Sequence, residues 1–437
     1  MAAAKHQIVV VGGGAGGLEL VTKLGGKLGK RGDADIMLID VARTHIWKPL
    51  LHEVAAGTLI PGEHELDYLA QAYRCHFRFR LGCMQGLERK RRLVRVAATR
   101  NPLGVEIIPA RSYRYDTLVI AVGSLSNDFG TQGVREHCLF LDTQEQASRF
   151  QQHLLESLLR AHSQDKPIDA GQLGVVIVGA GATGVELAAQ LRQVTRRLSQ
   201  YGLDEIKPER DIRIKIIEAG PHILPALPER LALATTRELV NLGIDVHVNQ
   251  RVTEVTANGV CTADGSFMPA AIKVWAAGIK APDFLSDLDG LETNKLNQLV
   301  VQPTLQTTRD AHIYALGDCA ACPRGEVGEF VPPRAQAAHQ QASFLHDALR
   351  KRIQGKSATA FRYRDYGSMV TLGNYSTVGS LMGKIMGTVL VEGVIARMVY
   401  LWLYKTHLIA LHGVLRTTIL SIANMLRRTV NPEIKLH

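Results

Sequence analysis

Gln7-Ile8-Val9-Val10-Val11 leads straight into Gly12-Gly13-Gly14-Ala15-Gly16-Gly17, and over residues 18–28 apolar side chains then recur at helical spacing. That order predicts a strand, a glycine turn and a helix. A second strand over residues 36–39 ends at Asp40 and completes a βαβ unit of about 30 residues. In a turn of the form G-x-G-x-x-G the first glycine permits the bend, the second lets a pyrophosphate approach the backbone, and the third lets the helix pack on the strand. The helix N-terminus then offers free N–H groups and its positive dipole end to the phosphates. Gly12, Gly14 and Gly17 occupy those three positions.

The pattern recurs 167 residues on, from Gly12 to Gly179. A strand over 175–178 precedes Gly179-Ala180-Gly181-Ala182-Thr183-Gly184, a helix is expected from Val185, and a strand over 212–217 ends at Glu218. A lone fingerprint is weak evidence. Two copies, each followed by a carboxylate at the end of its second strand, are strong. Asp40 and Glu218 stand where ribose hydroxyls would donate to them. A 2′-phosphate would meet like charge at Glu218, and no Arg or Lys follows in Glu218-Ala219-Gly220-Pro221-His222, so NADH is expected over NADPH. Other strands are expected over 116–122 into Gly123-Ser124, over 270–276 into Gly278, and over 313–316 into Gly317-Asp318, with hydrophilic 163–171 as a linker. The fold class is therefore α/β, with two Rossmann-like dinucleotide-binding domains and a C-terminal α+β region. The expected boundaries are 1–165 with 280–360 for the first domain, 166–279 for the second and 361–437 for the tail.

At 437 residues the chain exceeds the roughly 250–300 at which one core stops growing. Its 46% hydrophobic and 21% charged residues suit an ordinary folded protein. The apolar start is read as the first strand, since five glycines interrupt it, and not as a signal peptide. Six cysteines without an export signal point to thiols in a cytoplasmic, reducing compartment. The net charge of +10 favours anionic partners. Its distribution narrows them. From Lys384 to His437 lie Lys384, Arg397, Lys405, Arg416, Arg427, Arg428 and Lys435 against only Glu392 and Glu433. Short strand-like residues 368–372 precede a helical stretch over about 390–426, which Gly413 is placed to break. Lys405, Arg416 and Arg427 recur every eleven residues, near three helical turns, beside a broad apolar and aromatic face. A basic stripe next to an apolar face suits a helix lying in an anionic bilayer surface. The competing reading is a packing or homodimer helix. Nucleic acid is not expected, because it would leave the apolar face unexplained.

Two fingerprints and a late strand ending in Gly-Asp resemble the two-dinucleotide-domain flavoproteins of the disulfide reductase superfamily. The resemblance implies FAD at the first site (Gly12, Gly13, Gly14, Ala15, Gly16, Gly17, Asp40, Gly123), with Asp318 near its ribityl and pyrophosphate region. It implies NADH at the second (Gly179, Gly181, Gly184, Glu218, Gly278). His45-Ile46-Trp47-Lys48-Pro49-Leu50-Leu51-His52-Glu53-Val54, Trp275-Ala276-Ala277-Gly278-Ile279-Lys280-Ala281-Pro282 and Pro332-Pro333-Arg334-Ala335-Gln336-Ala337-Ala338-His339-Gln340 resemble type II NADH:quinone oxidoreductases, in particular the proteobacterial respiratory form. That likeness runs from Ile8 to His437. It implies a peripheral membrane flavoenzyme on the cytoplasmic face of the plasma membrane, passing electrons from NADH through FAD to ubiquinone or menaquinone without proton pumping. By the same resemblance Glu186 lies near the flavin and nicotinamide rings and Gln336 reaches the quinone end of the flavin, which makes these two the catalytic candidates, while Ala335 and Lys48 are FAD contacts.

From the residues alone, Glu186 also reads as a first-turn acid favouring the helix dipole. Gln340 and His339 read as ordinary polar helix positions. Cys319 and Cys322 form C-x-x-C where a helix is expected after Asp318, and are read as structural thiols ahead of a redox or metal pair. Cys75, Cys83, Cys138 and Cys261 are expected buried, and no metal site is expected. Two other functions stay open. One is a sulfide:quinone oxidoreductase, which by resemblance needs cysteines beside the flavin; the other is a redox sensor that binds both dinucleotides and turns over slowly.

Overall fold

The computed structural model describes residues 5–428 except 170, 204, 326–327, 358, 373–376 and 384–386, with backbone alone at 199–200, 368, 377–383, 387–401 and 427–428. In chain order the first half contains β1 (His6–Val11), α1 (Ala15–Leu24), β2 (Ala34–Asp40), α2 (Leu51–Ala56), α3 (Tyr68–Cys75) and β3 (Arg78–Leu81). It continues through β4 (Thr117–Ile120), β5 (Leu125–Ser126) and α4 (Gln144–His162). The second fingerprint lies among β6 (Val175–Val178), α5 (Ala182–Gln200), β7 (Ile214–Ile217), α6 (Glu229–Asn241), β8 (Ile244–His247) and β9 (Ile272–Trp275). Then come β10 (Ile279–Lys280), β11 (Gln306–Thr307), β12 (Asp310–Ala315) and α7 (Ala335–Ile353). The tail holds β13 (Gly367–Thr371), β14 (Thr377–Gly383), β15 (Gly387–Glu392), α8 (Gly393–His412) and α9 (Val414–Arg428).

Strands this rich in Val and Ile on both faces belong inside a sheet covered by helices on each side. Ile8, Val9, Val10 and Val11 are all buried, and so are Val175 to Val178. The first sheet has the order β11-β12-β4-β1-β2-β3, parallel except at β11. The second is parallel throughout in the order β8-β7-β6-β9. In each, the strand before the fingerprint lies between its βαβ partner and a later strand. Strand order reverses there, and ligands of open α/β sheets sit at the carboxyl ends of such strands. The two halves are joined by a short β5–β10 ladder pairing Leu125 with Lys280 and Ser126 with Ile279.

The tail is a three-stranded antiparallel sheet, β13-β14-β15, followed by the two helices. It is packed into both halves. Val370 and Leu372 enter the core of the second unit, whereas Leu411 enters the core of the first.

Several expectations need correction. Helix α5 begins at Ala182, three residues early, because the turn closes immediately after Gly181. No acid lies in its first turn, so the helix-dipole reading of Glu186 fails. Helix α1 likewise starts at Ala15 and ends in a π-helical turn over Gly25–Gly29. After Asp318 the chain makes only a 3₁₀ turn, Gly317–Cys319, and then pairs Ala320 and Ala321 with Leu299 and Val300, so its N–H groups enter a ladder and not a helix. Cys83 is exposed, and Cys75 and Cys261 are half-buried. Residues 390–392 belong to β15, and the helical stretch breaks at Gly413 with φ 78°. The two tail helices fold back on each other, Lys405 of α8 reaching Ser421 of α9 at 2.6 Å. The expected single basic stripe is thereby divided between two helices. Lys384, Glu433 and Lys435 lie outside the described residues, as do the side chains of Glu392, Arg397, Val399, Tyr400, Leu401, Arg427 and Arg428.

Candidate functional site

Both fingerprints close in the same way. Gly12 and Gly179 have φ near +101° and +100°, and a Cβ on either would sit 2.3 Å and 2.6 Å from backbone of the neighbouring strand end. On Gly17 or Gly184 a Cβ would come within 1.9 Å or 2.1 Å of the carbonyl of Gly12 or Gly179. The protein's own packing thus explains the outer glycines. It does not explain the middle ones: around Gly14 and Gly181 a Cβ would meet nothing within 4 Å. These glycines border open space, as a cradle for a pyrophosphate requires. Helices α1 and α5 begin at these residues, and neither has a side-chain cap or a first-turn acid. Their leading N–H groups are left for an anion.

The two carboxylates are also equivalent. Asp40 accepts from the Gly13 N–H at 2.5 Å and from Ala42 at 2.7 Å; Glu218 accepts from Ala180 at 2.9 Å and from Gly220 at 2.8 Å. Each ties its fingerprint loop to the end of the next strand, and a carboxylate has lone pairs left for hydroxyl donors. Burial raises the Asp40 pKa, against the opposing pull of the Ala42 and Gly13 amides. Tyr68 donates to the Gly13 carbonyl at 2.7 Å and supports the first loop from below.

Lys48, Gly123 and Asp318 meet at the carboxyl ends of β4 and β12. Lys48 Nζ donates to the Ser124 carbonyl at 2.9 Å and lies 3.3 Å from Asp142; Ser124 Oγ donates to Asp318 at 2.8 Å. Burial raises the Asp318 pKa, while the Ser124 hydroxyl and Lys48 oppose the rise. Gln341, almost fully buried, accepts the Gly317 N–H at 2.7 Å and fixes the turn that carries Asp318. Gly278 has φ 60°, and a Cβ there would strike the Phe129 ring.

Glu186 points inward from the second turn of α5. Its Oε1 accepts the Thr371 N–H at 2.9 Å and its Oε2 lies 3.5 Å from His52 Nδ1. Burial pushes its pKa up to about 8 and holds His52 down at about 4, so near neutral pH both are uncharged. Ala335 opens α7, whose first turn also lacks a side-chain cap. Gln336 donates to the Gly367 carbonyl at 2.9 Å and accepts from Tyr366 at 3.2 Å; Gln340, one turn on, donates to and accepts from Arg364 at 2.8 and 2.9 Å. The i,i+4 pair therefore shares a face as expected, and that face grips residues 364–367, which lead into β13. His339 lies 2.5 Å from Glu19, which is fully buried and also bonded to Lys23 and Ser343. Sequence reasoning missed Ser124, Asp142, His52, Thr371, Gln341 and Glu19. Only Glu19 carried a signal, since it sits two residues past its fingerprint as Glu186 does.

Cys319 and Cys322 are buried free thiols, pushed up to about 12 by burial. Cys319 donates to the Leu316 and Ile120 carbonyls, at 3.3 and 3.5 Å. Thiols held so far from ionisation are poor nucleophiles. Among the described residues no group of His, Cys, Asp or Glu could hold a metal ion.

The profile of the pyridine nucleotide-disulphide oxidoreductase family matches residues 6–342. The chain is 41% identical to a type II NADH:quinone oxidoreductase of Haemophilus influenzae, over 98% of its own length and 99% of the relative's. The structure of NDH2 from Plasmodium falciparum in complex with NADH superposes with a TM-score of 0.82 at 18% identity, covering 99% of this chain and 100% of that one. The sulfide:quinone oxidoreductase of Aquifex aeolicus superposes with a TM-score of 0.70 at 17% identity, covering 98% and 96%. Fold alone is thus shared between the two activities, and the full-length sequence likeness separates them. The chain belongs to the pyridine nucleotide-disulphide oxidoreductases and, within them, to the type II NADH:quinone oxidoreductases.

Proposed function

We propose that the protein is an FAD-dependent NADH:quinone oxidoreductase that works without proton pumping from the cytoplasmic face of the plasma membrane, bound at its surface. When bound, FAD accepts a hydride from NADH and passes two electrons on to quinone. The fingerprint around Gly12 to Gly17, with Asp40, Lys48, Gly123 and Asp318, holds FAD; the Gly179 fingerprint, with Glu218 and Gly278, holds NADH. The open spaces at Gly14 and Gly181 and the uncapped helix ends support both assignments. Lys48 supplies the positive charge and Asp318 the acceptor at the strand ends, bridged by Ser124.

Glu186 keeps a proton on its carboxyl at neutral pH, because burial and the nearby Glu53 carboxylate outweigh the hydrogen bonds from the Thr371 amide and side chain. Reduction of a quinone takes up two protons, and a buried carboxylic acid with a pKa near the working pH is a suitable local donor. Gln336 positions residues 364–367 and through them β13, whose Thr371 amide holds Glu186. The exposed apolar side chains of α9, Leu415, Ile419, Ile422 and Met425 among them, suit the bilayer surface. Among the described residues no helix is long and apolar enough to cross a membrane. A homodimer burying that face is the second way to cover it.

The observation that carries the reading is the likeness to the Haemophilus enzyme through the tail, beyond the family profile that ends at residue 342. Purified protein should show a flavin spectrum and oxidise NADH, much faster than NADPH, with a short-chain quinone. Sulfide-dependent quinone reduction without NADH, or NADH oxidation too slow for respiration, would sink it.

A further inference from the structure

A cavity of ≈ 360 Å³ lies where helix α3 of the first half meets the two tail helices, lined by His45, Trp47 and Tyr404 at its floor and by Arg74, Arg416 and Ile419 toward its mouth. Its construction starts from Gln71, fully buried on α3, which donates to the Leu411 carbonyl at 2.9 Å and so fastens α3 to the end of α8. Arg74 lies one helical turn beyond Gln71, beside His412 at the end of that helix. The Arg74 and Arg416 guanidinium groups both bear on His412, which burial and these two cations hold below its ordinary pKa, and both bear on Cys75. Both arginines are exposed, and among the described residues neither has an ion pair.

The acids that also line the cavity, Glu63 and Glu65, flank His64, which lies 3.1 Å from the Tyr404 hydroxyl. Tyr404 and His412 are eight residues apart on α8, a separation of about 12 Å along the axis. The cavity therefore has a cationic end, and beyond it the outer face of α9 carries Leu415, Ile419, Ile422 and Met425, exposed by 76%, 58%, 53% and 64%. On the other side of Arg74, Leu69 and Tyr73 of α3 are exposed by 65% and 91%. Two unpaired guanidinium groups between two exposed apolar helix faces complement one kind of molecule: an anionic head on an apolar tail.

We infer that Arg74 and Arg416, with His412, bind the phosphate of an anionic phospholipid whose acyl chains lie against α9, and that α3 shares the same membrane plane. This rests on the surface-binding reading above and extends it to a defined headgroup site, half of it supplied by the nucleotide-binding part of the chain. The tail alone does not make the membrane face.

The test uses full-length, FAD-loaded protein floated with vesicles of phosphatidylcholine alone or mixed with phosphatidylglycerol. Wild type should prefer the anionic vesicles. Arg74→Gln and Arg416→Gln should each weaken that preference, and the double variant should lose roughly 10- to 30-fold while oxidising NADH with a water-soluble quinone as wild type does. Ile419→Ser with Met425→Ser should instead weaken binding to both vesicle types. An unchanged preference in the double variant overturns the headgroup site and leaves the surface reading standing; full loss from Arg416→Gln with none from Arg74→Gln overturns the part given to α3. Inorganic phosphate or glycerol phosphate that binds wild type and not the double variant, yet leaves wild-type flotation with anionic vesicles unchanged at the same ionic strength, shows a free-anion site and overturns the lipid assignment. Wild type that floats with neither vesicle overturns this inference and the surface reading together.

Discussion

Glu19 and Glu186 occupy the same place in the two βαβ units, each two residues past the third glycine of its fingerprint, 167 residues apart and both buried. Their surroundings differ. Glu19 has Lys23 at 2.6 Å, His339 at 2.5 Å and Ser343 at 3.2 Å. Glu186 has the amide and side chain of Thr371, the like charge of Glu53 and a histidine that burial keeps neutral. In the first unit the helix supplies its own cation, Lys23 one turn on, and α7 adds the His339 ring and the Ser343 hydroxyl. In the second, α2 brings a neutral histidine and the like charge of Glu53, and β13 brings Thr371, so none of these partners is a cation. A repeated motif thus builds the same nucleotide cradle twice, while the helix itself and the elements packed on it make one glutamate a paired charge and the other a held proton.

The comparison can be broken most sharply at the middle glycines. Gly14 and Gly181 have φ of −63° and −70°, which any residue adopts, and open space around them, so Gly14→Asp and Gly181→Asp should fold. Each places a negative charge where a phosphate is expected, a juxtaposition that costs several kcal/mol. Gly14→Asp should lose FAD on purification. Gly181→Asp should keep the flavin spectrum and weaken NADH at least about 100-fold, measured as KM. If either change affects both ligands alike, the assignment of the two sites is wrong.

Next come the two glutamates. Glu19→Gln removes the acceptor for Lys23 and His339 and should cost about 2 kcal/mol in thermal or urea unfolding, below the range for a fully buried pair because Lys23 is partly exposed. Glu186→Gln should leave neutral-pH stability intact or improve it while lowering quinone turnover. The folded protein keeps the Glu186 proton up to about pH 8, whereas the unfolded chain releases it above about 4.5. Wild-type stability therefore falls as pH rises through that window, and Glu186→Gln should flatten the fall in Tm. An equal slope in both proteins contradicts the held proton.

A smaller effect is expected at Glu218. Glu218→Ala removes the like charge facing a 2′-phosphate and should raise kcat/KM for NADPH relative to NADH by roughly tenfold. The same change at Asp40 should affect FAD retention and leave the NADH to NADPH ratio alone. Smallest of all, Cys319→Ser with Cys322→Ser should keep quinone activity within about twofold, since buried thiols pushed up to about 12 take no part in electron transfer. Loss of flavin reduction in that variant would restore a redox role to the C-x-x-C pair.

Much of the nucleotide-binding architecture was legible along the chain because it depends on near neighbours. Hydrophobic runs of strand length, glycines at fixed offsets and a carboxylate closing the next strand all act within about 30 residues, and both copies are seen as expected. Gly413 likewise marked the break between the tail helices. Errors arose where distant pairing overrides local preference. Ala320 and Ala321 read as the start of a helix, yet Leu299 and Val300 draw them into a ladder. The basic residues of the tail read as one stripe, yet the fold-back of α9 on α8 turns Lys405 to Ser421 and leaves Arg416 beside Arg74, more than three hundred residues away in sequence.

Amino-acid order was enough to specify two nucleotide folds and their adenosine-end carboxylates, since φ, turn geometry and strand burial are short-range properties. Tertiary packing alone decided that Glu186 is protonated and that Glu19 gains His339 and Ser343 beside its local partner Lys23, that Gln336 and Gln340 grip residues 364–367, and that α3 joins the tail around a cationic cavity. Those outcomes depend on desolvation and on which charges are brought within a few ångströms. Such distances are set by elements far apart in the chain, and no local spacing encodes them.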